Sequence, residues 1–239
     1  MPAPARFWAL VPCAGTGTRA GGEGPKQYRR LAGRPLVQHT LAAFAGVARL
    51  AGTLVVVAPG DGFEAGGGLP GPLFTLAACG GATRAGSVAS GLEALEARGA
   101  QPQDWVLVHD AARCLVTPAL IDTLIDACVH DPVGGLLAQP VADTLKTAAA
   151  DGRVADTLDR RGRWLAQTPQ MFRLGPLAQA LRHAGAAVTD EAGAMEALGR
   201  QPLLVPGSAQ NFKVTWPEDF ALAEAVLAAR AKQQDQGPA

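Results

Sequence analysis

The chain has 239 residues, of which 48% are hydrophobic and 18% are charged, which is enough apolar material for one large core. Its formal net charge of zero excludes the strongly basic balance of a general nucleic-acid binder. No apolar run reaches the roughly 18 residues that a transmembrane helix needs, and residues 1–6 lack the pattern of a signal peptide, so we expect no membrane association and a cytoplasmic location.

Short apolar runs alternate with longer helical patterns along the chain. The short runs predict six strands, at 7–11, 54–58, 74–77, 105–109, 135–139 and 203–205. The other patterns predict six helices, at 36–48, 85–97, 118–129, 174–184, 191–198 and 217–231. This alternation favours a three-layer α/β fold with a mostly parallel sheet. We expect residues 1–239 to form a single domain that ends in a frayed tail at 232–239.

One stretch, at about 141–164, breaks the alternation. It is polar and turn-rich, with short extended pieces on both sides of Asp151-Gly152, which is typical of a β-hairpin arm. Because a hairpin cannot bury a core of its own, we expect it to pack on another surface, and a second subunit is the natural candidate. A mobile surface excursion is the alternative.

A loop of small residues, 12–18, follows the first predicted strand. Its glycines allow backbone N–H groups to approach an anion closely. It is not a P-loop, because no Gly-Lys-Ser/Thr follows, and its glycine spacing and the lack of a ribose-binding acid argue against NAD. Instead Arg19 and Lys26 follow, within a segment (1–60) that has seven basic side chains and a single acid. This combination suits a triphosphate.

Further motifs follow this loop in chain order. They are 12–19 (PCAGTGTR), 25–27 (PKQ), 80–88 (GGATRAGSV), 108–113 (VHDAAR), 140–146 (PVADTLK), 159–160 (DR), 167–172 (QTPQMF), 189–191 (TDE) and 212–215 (FKVT). Together they resemble the 2-C-methyl-D-erythritol 4-phosphate cytidylyltransferase family over roughly residues 7–228. Each motif alone is common, but their ordered combination is highly specific.

The resemblance implies a Rossmann-like nucleotidyltransferase fold and a specific reaction. CMP would pass from CTP to 2-C-methyl-D-erythritol 4-phosphate, with release of pyrophosphate, in non-mevalonate isoprenoid biosynthesis. The protein must then hold two mutually repelling anions in line and neutralise their charge. By resemblance, Arg19 and Lys26 grip the triphosphate and the transition state, and Lys213 approaches the reacting phosphoryl group.

The resemblance also implies where CTP binds. The residues are Cys13, Ala14, Gly15, Gly81, Ala82, Ser87 and Ala111. Backbone groups and the Ser87 hydroxyl can satisfy the edge of cytosine, whereas a purine is too large for a tight pocket. Some relatives have an acid in place of Ala82, so selectivity for CTP could be looser here.

Asp110 directly follows a predicted strand, at the sheet edge where α/β folds place ligands. A carboxylate there, among phosphates, implies Mg²⁺. The resemblance also places Asp110 near the acceptor hydroxyls, and it could equally be a helix N-cap. Its assignment among metal, acceptor and cap stays open.

The resemblance implies an acceptor pocket shared between two subunits. Its substrate-binding residues are Asp110, Arg113, Thr144, Arg160, Thr168 and Thr189, beside Lys213. Arginine suits a phosphate because its planar fork binds two oxygens at once. Thr144 and Arg160 would reach in from the neighbouring subunit's arm, so a homodimer is expected. Cys114 stands where many relatives have proline, and we expect only a small loop change there.

Two alternatives stay open. A ribitol 5-phosphate cytidylyltransferase would share the fold, the cation of Pro25-Lys26-Gln27 and the arm, although 110–113 and 189–191 favour methylerythritol phosphate. The other alternative is a nucleotide-binding module without catalytic activity. The presence of every expected cation argues against it.

Overall fold

The computed structural model describes residues 4–17, 20–21, 24–63, 68–185 and 188–235. Its strands are β1 (Phe7–Pro12), β2 (Arg30–Leu31), β3 (Arg34–Pro35), β4 (Leu50–Val56), β5 (Phe74–Ala77), β6 (Trp105–Val108), β7 (Gly134–Pro140), β8 (Leu145–Ala148), β9 (Val154–Leu158), β10 (Trp164–Arg173) and β11 (Leu203–Pro206). Its helices are α1 (Leu36–Ala45), α2 (Arg84–Glu96), α3 (Pro118–Cys128), α4 (Leu174–Ala184), α5 (Glu191–Ala197) and α6 (Glu218–Asp235).

Seven strands form the central sheet, in the order β11-β7-β10-β6-β1-β4-β5. All neighbouring pairs are parallel except those that β10 makes with β6 and β7. The six predicted strands and the mostly parallel α/β sheet are confirmed. The strand β10 was not predicted, because Gln167, Pro169 and Gln170 interrupt its apolar pattern. Its pairing with β7 shifts register between Ala166 and Gln170, and this irregular stretch borders the candidate site.

Helices cover both faces of the sheet, which confirms the three-layer arrangement. Ala9 and Val11 of β1 lie in the apolar cluster that includes side chains of α1 and α3, whereas Leu10 lies in the cluster with α2, α4 and α5. The side chains of successive strand residues therefore pack on opposite faces of the sheet, because side-chain direction alternates along a strand. A third cluster packs α6, through Phe220, against Leu31 and Val214. This cluster positions the segment that carries Lys213.

The helix termini follow ordinary capping chemistry. Thr83 caps α2 by accepting a hydrogen bond from the Gly86 N–H, Thr117 caps α3, and Asp190 caps α5. The six predicted helices are confirmed, but α6 continues to Asp235, so the expectation of a frayed tail from residue 232 is wrong for 232–235. The rest of that tail, 236–239, lies outside the described residues. No helix in the described ranges is long and apolar enough to cross a membrane.

The predicted arm is a separate antiparallel hairpin of β8 and β9. Most of its residues are exposed, and Val154 is 64% exposed. At its base, Nη1 of Arg160 donates a hydrogen bond to the carbonyl of Ala142. The arm therefore has no core of its own, as its composition predicts. A second, unpredicted hairpin, β2–β3, turns through Ala32 and Gly33, both with positive φ.

Asp104 joins the start of β1 to the start of β6. Its buried carboxylate accepts hydrogen bonds from the backbone N–H groups of Arg6 and Gln101, both at 2.9 Å, and from the indole of Trp8 at 3.1 Å. Burial opposes ionisation, but these hydrogen bonds outweigh it and lower the pKa of Asp104. The ionised carboxylate therefore stabilises the fold.

Asp104→Ala is expected to lower the free energy of unfolding by about 3 kcal/mol, because donors of Arg6, Trp8 and Gln101 lose the buried carboxylate that accepts their hydrogen bonds. The folded-state pKa is the lower one, so the stabilisation is present at neutral pH and is lost as the pH falls through that value. Urea unfolding at neutral and acidic pH measures both effects. Asp126→Ala, at an exposed ion pair with Arg49, is the matched control and should cost under about 1 kcal/mol. Equal losses for both variants would contradict the prediction.

Candidate active site

A cavity of ≈ 440 Å³ lies at the carboxyl end of β1 and β6. These two strands are parallel neighbours, so the loops that follow them meet at one edge of the sheet. Ten of the residues proposed for the site from the sequence line this cavity: Cys13, Ala14, Gly15, Lys26, Gly81, Ala82, Ser87, Asp110, Ala111 and Lys213. The predicted catalytic residue Arg19 lies outside the described residues.

The loop after β1 is held by Gln27. Its buried side-chain amide donates hydrogen bonds to the carbonyls of Cys13, at 2.8 Å, and Gly15, at 3.0 Å. Gly17 has a φ of +66°, and a Cβ there would lie 2.6 Å from the Lys26 side chain. Glycine is therefore required where the chain passes this lysine. Burial raises the pKa of the Cys13 thiol to about 12, so Cys13 lines the cavity as a neutral packing group.

Lys26 and Lys213 enter the cavity from opposite ends of the chain. The Lys26 Nζ donates a hydrogen bond to the carbonyl of Val214, at 2.6 Å, directly next to Lys213. The N–H of Val214 in turn donates to the carbonyl of Ala112, at 2.9 Å, in the loop after β6. One short backbone segment thus fixes both lysines at the same cavity, which can bind a polyanion.

The segment directly before α2, residues 81–83, forms another wall of the cavity. The Ser87 hydroxyl accepts a hydrogen bond from the Gly81 N–H, at 3.1 Å, and donates to the carbonyl of Thr83, at 3.0 Å. A Cβ at Gly80 would lie 2.3 Å from the Cβ of Ala14, so this segment packs directly on the loop after β1. The two loops predicted to hold the nucleotide are therefore in contact.

Ser87→Ala is expected to weaken nucleotide binding about fivefold, because the Gly81 N–H loses its acceptor and the wall loosens. Calorimetric titration with CTP measures the change. Ser90→Ala, on the same helix, controls for the loss of a hydroxyl. An unchanged affinity in Ser87→Ala would show that the hydroxyl neither orders the wall nor contacts the nucleotide.

Asp110 lies between two cations at the end of β6. Its Oδ1 accepts from Nε of Arg84, at 2.6 Å, and its Oδ2 accepts from Nζ of Lys213, at 2.7 Å. Burial raises the pKa of Asp110, but the two cations outweigh burial and hold it well below its ordinary value. Asp110 is not the predicted helix N-cap, because α3 begins only at Pro118 and is capped by Thr117.

A buried hydrogen-bond chain fixes the backbone around Asp110. The Thr168 hydroxyl accepts from the Asp110 N–H, at 3.1 Å, and lies 3.0 Å from Nδ1 of His109. Burial lowers the pKa of His109 to about 4, so the imidazole is neutral. The Thr168 hydroxyl therefore donates to Nδ1, and Nε2–H donates to the carbonyl of Arg113, at 3.0 Å. Thr168 lies beside Asp110 but does not line the cavity, and its role toward an acceptor stays a prediction.

Arg113 lies next to the cavity but does not line it. Its guanidinium donates to the carbonyls of Asn211, at 2.8 Å, and Ala166, at 3.1 Å. Its buried Nε has no acceptor within the ranges that the structure describes. These two carbonyls fix the guanidinium in one orientation beside the cavity.

Three other predicted acceptor residues, Thr144, Arg160 and Thr189, do not line the cavity. Thr144 and Arg160 lie in the exposed arm region, and Thr189 is an exposed residue directly before the cap of α5. Their assignments stay predictions. The action of Thr144 and Arg160 across a dimer likewise stays a prediction.

Sequence reasoning missed two charged residues. Arg84 lines the cavity and pairs with Asp110, and its Nη1 and Nη2 donate to the two carboxylate oxygens of Glu191, at 2.7 and 3.0 Å. Both residues lie within motifs, at 80–88 and 189–191, that predict no role for them. Arginine at a helix start and glutamate in a first turn are ordinary, so the sequence gives no signal of their pairing.

Asp110 is the one carboxylate among the described residues that line the cavity. The described ranges contain no cluster of three or more His, Cys, Asp or Glu side chains that could hold a metal ion. Because both Asp110 oxygens already face cations, a Mg²⁺ ion fits this cavity only with most of its ligands from phosphate and water.

Comparisons with known proteins decide the family. The model of the 2-C-methyl-D-erythritol 4-phosphate cytidylyltransferase family matches residues 7–229. The chain belongs to this family. A 2-C-methyl-D-erythritol 4-phosphate cytidylyltransferase of Paraburkholderia phytofirmans is 55% identical over 228 residues, which cover 93% of this chain and 96% of that protein.

Longer relatives and solved structures agree with this assignment. A bifunctional enzyme IspD/IspF of Albidiferax ferrireducens is 66% identical over 95% of this chain, but the chain spans only 54% of that protein. A crystal structure of a 4-diphosphocytidyl-2C-methyl-D-erythritol synthase superposes with a TM-score of 0.84 at 38% identity, covering 94% of this chain and all of the other. The structure from Thermus thermophilus gives a TM-score of 0.76 at 34% identity, covering 92% and 98%. The cytidylyltransferase fold is confirmed.

Proposed function

We propose that this chain transfers CMP from CTP to 2-C-methyl-D-erythritol 4-phosphate and releases pyrophosphate. The observation that carries the proposal is the convergence of Lys26 and Lys213 on one cavity, linked through Val214 and faced by two glycine-containing loops. The membership of the chain in the cytidylyltransferase family supports the same reaction.

The reaction is an in-line displacement at the α-phosphorus of CTP. An oxygen of the acceptor phosphate forms a bond to this phosphorus, and the bond from the phosphorus to the bridging oxygen of the leaving pyrophosphate breaks. Both reactants are anions, so the protein contributes mainly alignment and positive charge. Lys26, together with Arg19, would hold the triphosphate, and Lys213 would neutralise charge on the reacting phosphoryl group.

The two contacting loops account for nucleotide binding. The loop after β1, with Cys13, Ala14 and Gly15, would offer backbone groups to the phosphates, and Gly81, Ala82 and Ser87, which line the same cavity, would contact the base. The side chain of Ala82 carries no polar group, so selectivity for cytosine would rest on backbone groups and the Ser87 hydroxyl. Discrimination against UTP is therefore the sensitive test of these contacts.

The acceptor phosphate would be held by Arg113, whose guanidinium is fixed in orientation beside the cavity. Thr168 and Thr189 would complete the acceptor side. We further propose that the protein acts in the cytoplasm as a homodimer, in which Thr144 and Arg160 of one arm reach the acceptor site of the partner. The exposure of a hairpin that has no core of its own supports this arrangement.

Mg²⁺ is proposed as the cofactor, with Asp110 as the one carboxylate near it among the described residues that line the cavity. The ion would supply further charge neutralisation on the triphosphate when bound. Since Arg84 and Lys213 already contact the Asp110 oxygens, most of its ligands would come from phosphate and water.

The deciding test is pyrophosphate release with CTP and Mg²⁺, with methylerythritol 4-phosphate and ribitol 5-phosphate as acceptors and ATP, GTP and UTP as alternative donors. Release with CTP and methylerythritol phosphate alone would establish the proposal. A preference for ribitol phosphate would keep the mechanism and change the acceptor. Binding of CTP without turnover for any pair would favour the module that lacks catalytic activity.

A further inference from the structure

Four charged side chains of alternating sign form a continuous chain of ion pairs from the interior to the cavity. Glu191, at the start of α5, binds both terminal nitrogens of Arg84, at 2.7 and 3.0 Å. The Nε of Arg84, at the start of α2, donates to Oδ1 of Asp110, and Nζ of Lys213 donates to its Oδ2. The chain therefore runs Glu191–Arg84–Asp110–Lys213, and it joins elements that are distant in sequence.

Of these four charged residues, only Glu191 lies outside the cavity lining. Arg84, Asp110 and Lys213 line the cavity, whereas Glu191 does not, and its side chain is 0% exposed. A buried carboxylate is costly unless it is fully paired, and its two-point contact with a guanidinium satisfies it. The contact also leaves Arg84 a single orientation in which Nε faces Asp110. Through Arg84, Glu191 is thus connected to Asp110, which in turn contacts the Lys213 ammonium.

The elements around Glu191 are themselves fixed. Asp190 caps α5 through the Gly193 N–H, and the Gln170 side chain accepts from the Ala192 N–H, at 2.7 Å, and donates to Asp190, at 2.9 Å. Glu191 is therefore held by β10 and by its own helix. A rigid anchor of this kind is what preorganisation of a catalytic cation requires.

We propose that Glu191 is a positioning residue for nucleotidyl transfer, acting through Arg84 and Asp110 to hold Lys213 where the reacting phosphoryl group binds. This inference rests on the proposed function. Glu191 touches no substrate in this scheme. Its effect must therefore pass through Lys213 and must disappear when Lys213 is absent.

Glu191→Gln tests the proposal, because glutamine keeps the size of the side chain but turns an N–H₂ group toward the Arg84 donors. We expect kcat to fall about tenfold while the Kd for CTP stays within about threefold. In the Lys213→Ala background the same substitution should change kcat by less than about threefold. Glu196→Gln, on an exposed position of the same helix, is the matched control and should leave kcat unchanged.

A purely structural role would give a different result. Equal tenfold losses with and without Lys213, or an unchanged kcat in folded Glu191→Gln, would overturn the proposal. If Glu191→Gln does not fold, Arg84→Lys replaces it in the same cycle, because an ammonium cannot bridge two carboxylates with the geometry of the guanidinium fork. The same non-additivity with Lys213→Ala is then expected, and additive losses overturn the proposal.

A crystal structure of Glu191→Gln, or of Arg84→Lys where the first variant does not fold, separates this inference from the proposed function. If the unsubstituted chain turns over no donor and acceptor pair, the proposed function fails while the geometry remains testable. A displaced Asp110 side chain and a lengthened contact to Lys213 would support the positioning role. Asp110 and Lys213 in unchanged positions would overturn it.

Discussion

Lys213→Ala is expected to lower kcat at least about a hundredfold, and Lys26→Ala is expected to do the same. In the Lys213 variant, the affinity for CTP should fall far less than kcat does. Lys213 faces Asp110 across 2.7 Å, so its removal takes away a cation and also leaves Asp110 paired with Arg84 alone. Both changes make the cavity more negative toward two anionic substrates. Steady-state rates of pyrophosphate release measure the loss, and calorimetry with CTP separates binding from turnover.

Lys232→Ala is the matched control for these variants, because Lys232 is exposed on α6 and outside the cavity. It should retain the kcat of the unsubstituted chain. Circular dichroism and thermal unfolding must show that the Lys26 and Lys213 variants remain folded. A near-normal kcat in either folded variant would show that the substituted lysine has no role in the reaction.

Lys213→Arg refines this prediction. It preserves the charge but replaces a compact ammonium with a planar group that prefers two-point contacts. An intermediate kcat would show that position matters in addition to charge. Such a result would agree with a lysine held by Asp110 rather than one that acts as a general source of positive potential.

The central strands could be predicted because their side chains face two apolar layers. The runs 54–57 and 105–108 are continuously apolar, and both are buried in the sheet. Strand β10 instead carries polar residues at buried positions, because these side chains hold neighbouring segments in place. Gln170 contacts Asp190 and Ala192 of α5, and Gln167 donates to the carbonyl of Ser208, so polar residues occupy a buried strand. A pattern of hydrophobicity cannot identify such a strand.

The candidate site also contains residues that the sequence predicts and residues that only the folded structure identifies. Lys26, Asp110 and Lys213 could be proposed because each lies in a motif typical of nucleotidyl transfer. The pairing of Arg84 with Glu191 spans 107 residues and is formed by two helix starts that meet only in the folded chain. Neither residue type is unusual at its position, so only the tertiary structure identifies the pair.

Mixed dimers are expected to recover activity when Arg160→Ala and Lys213→Ala subunits are combined. In the proposed arrangement each site uses its own Lys213 and the partner's Arg160. A dimer with one subunit of each kind then has one intact site and one that lacks both groups. Random mixing gives such dimers in half of the population, so about a quarter of the unsubstituted activity should return, from less than about a hundredth in either parent.

The matched control combines Lys26→Ala with Lys213→Ala subunits. Both lysines line the cavity of a single protomer, so every site in the mixed dimer lacks one of them and no activity should return. Differently tagged subunits, purified in tandem, verify that the mixed dimer forms. If Arg160 instead serves its own protomer, the first pair also stays inactive. Recovery in the first pair alone would therefore place Arg160 in the partner's site, and the hairpin that begins with β8 would be part of the catalytic machinery.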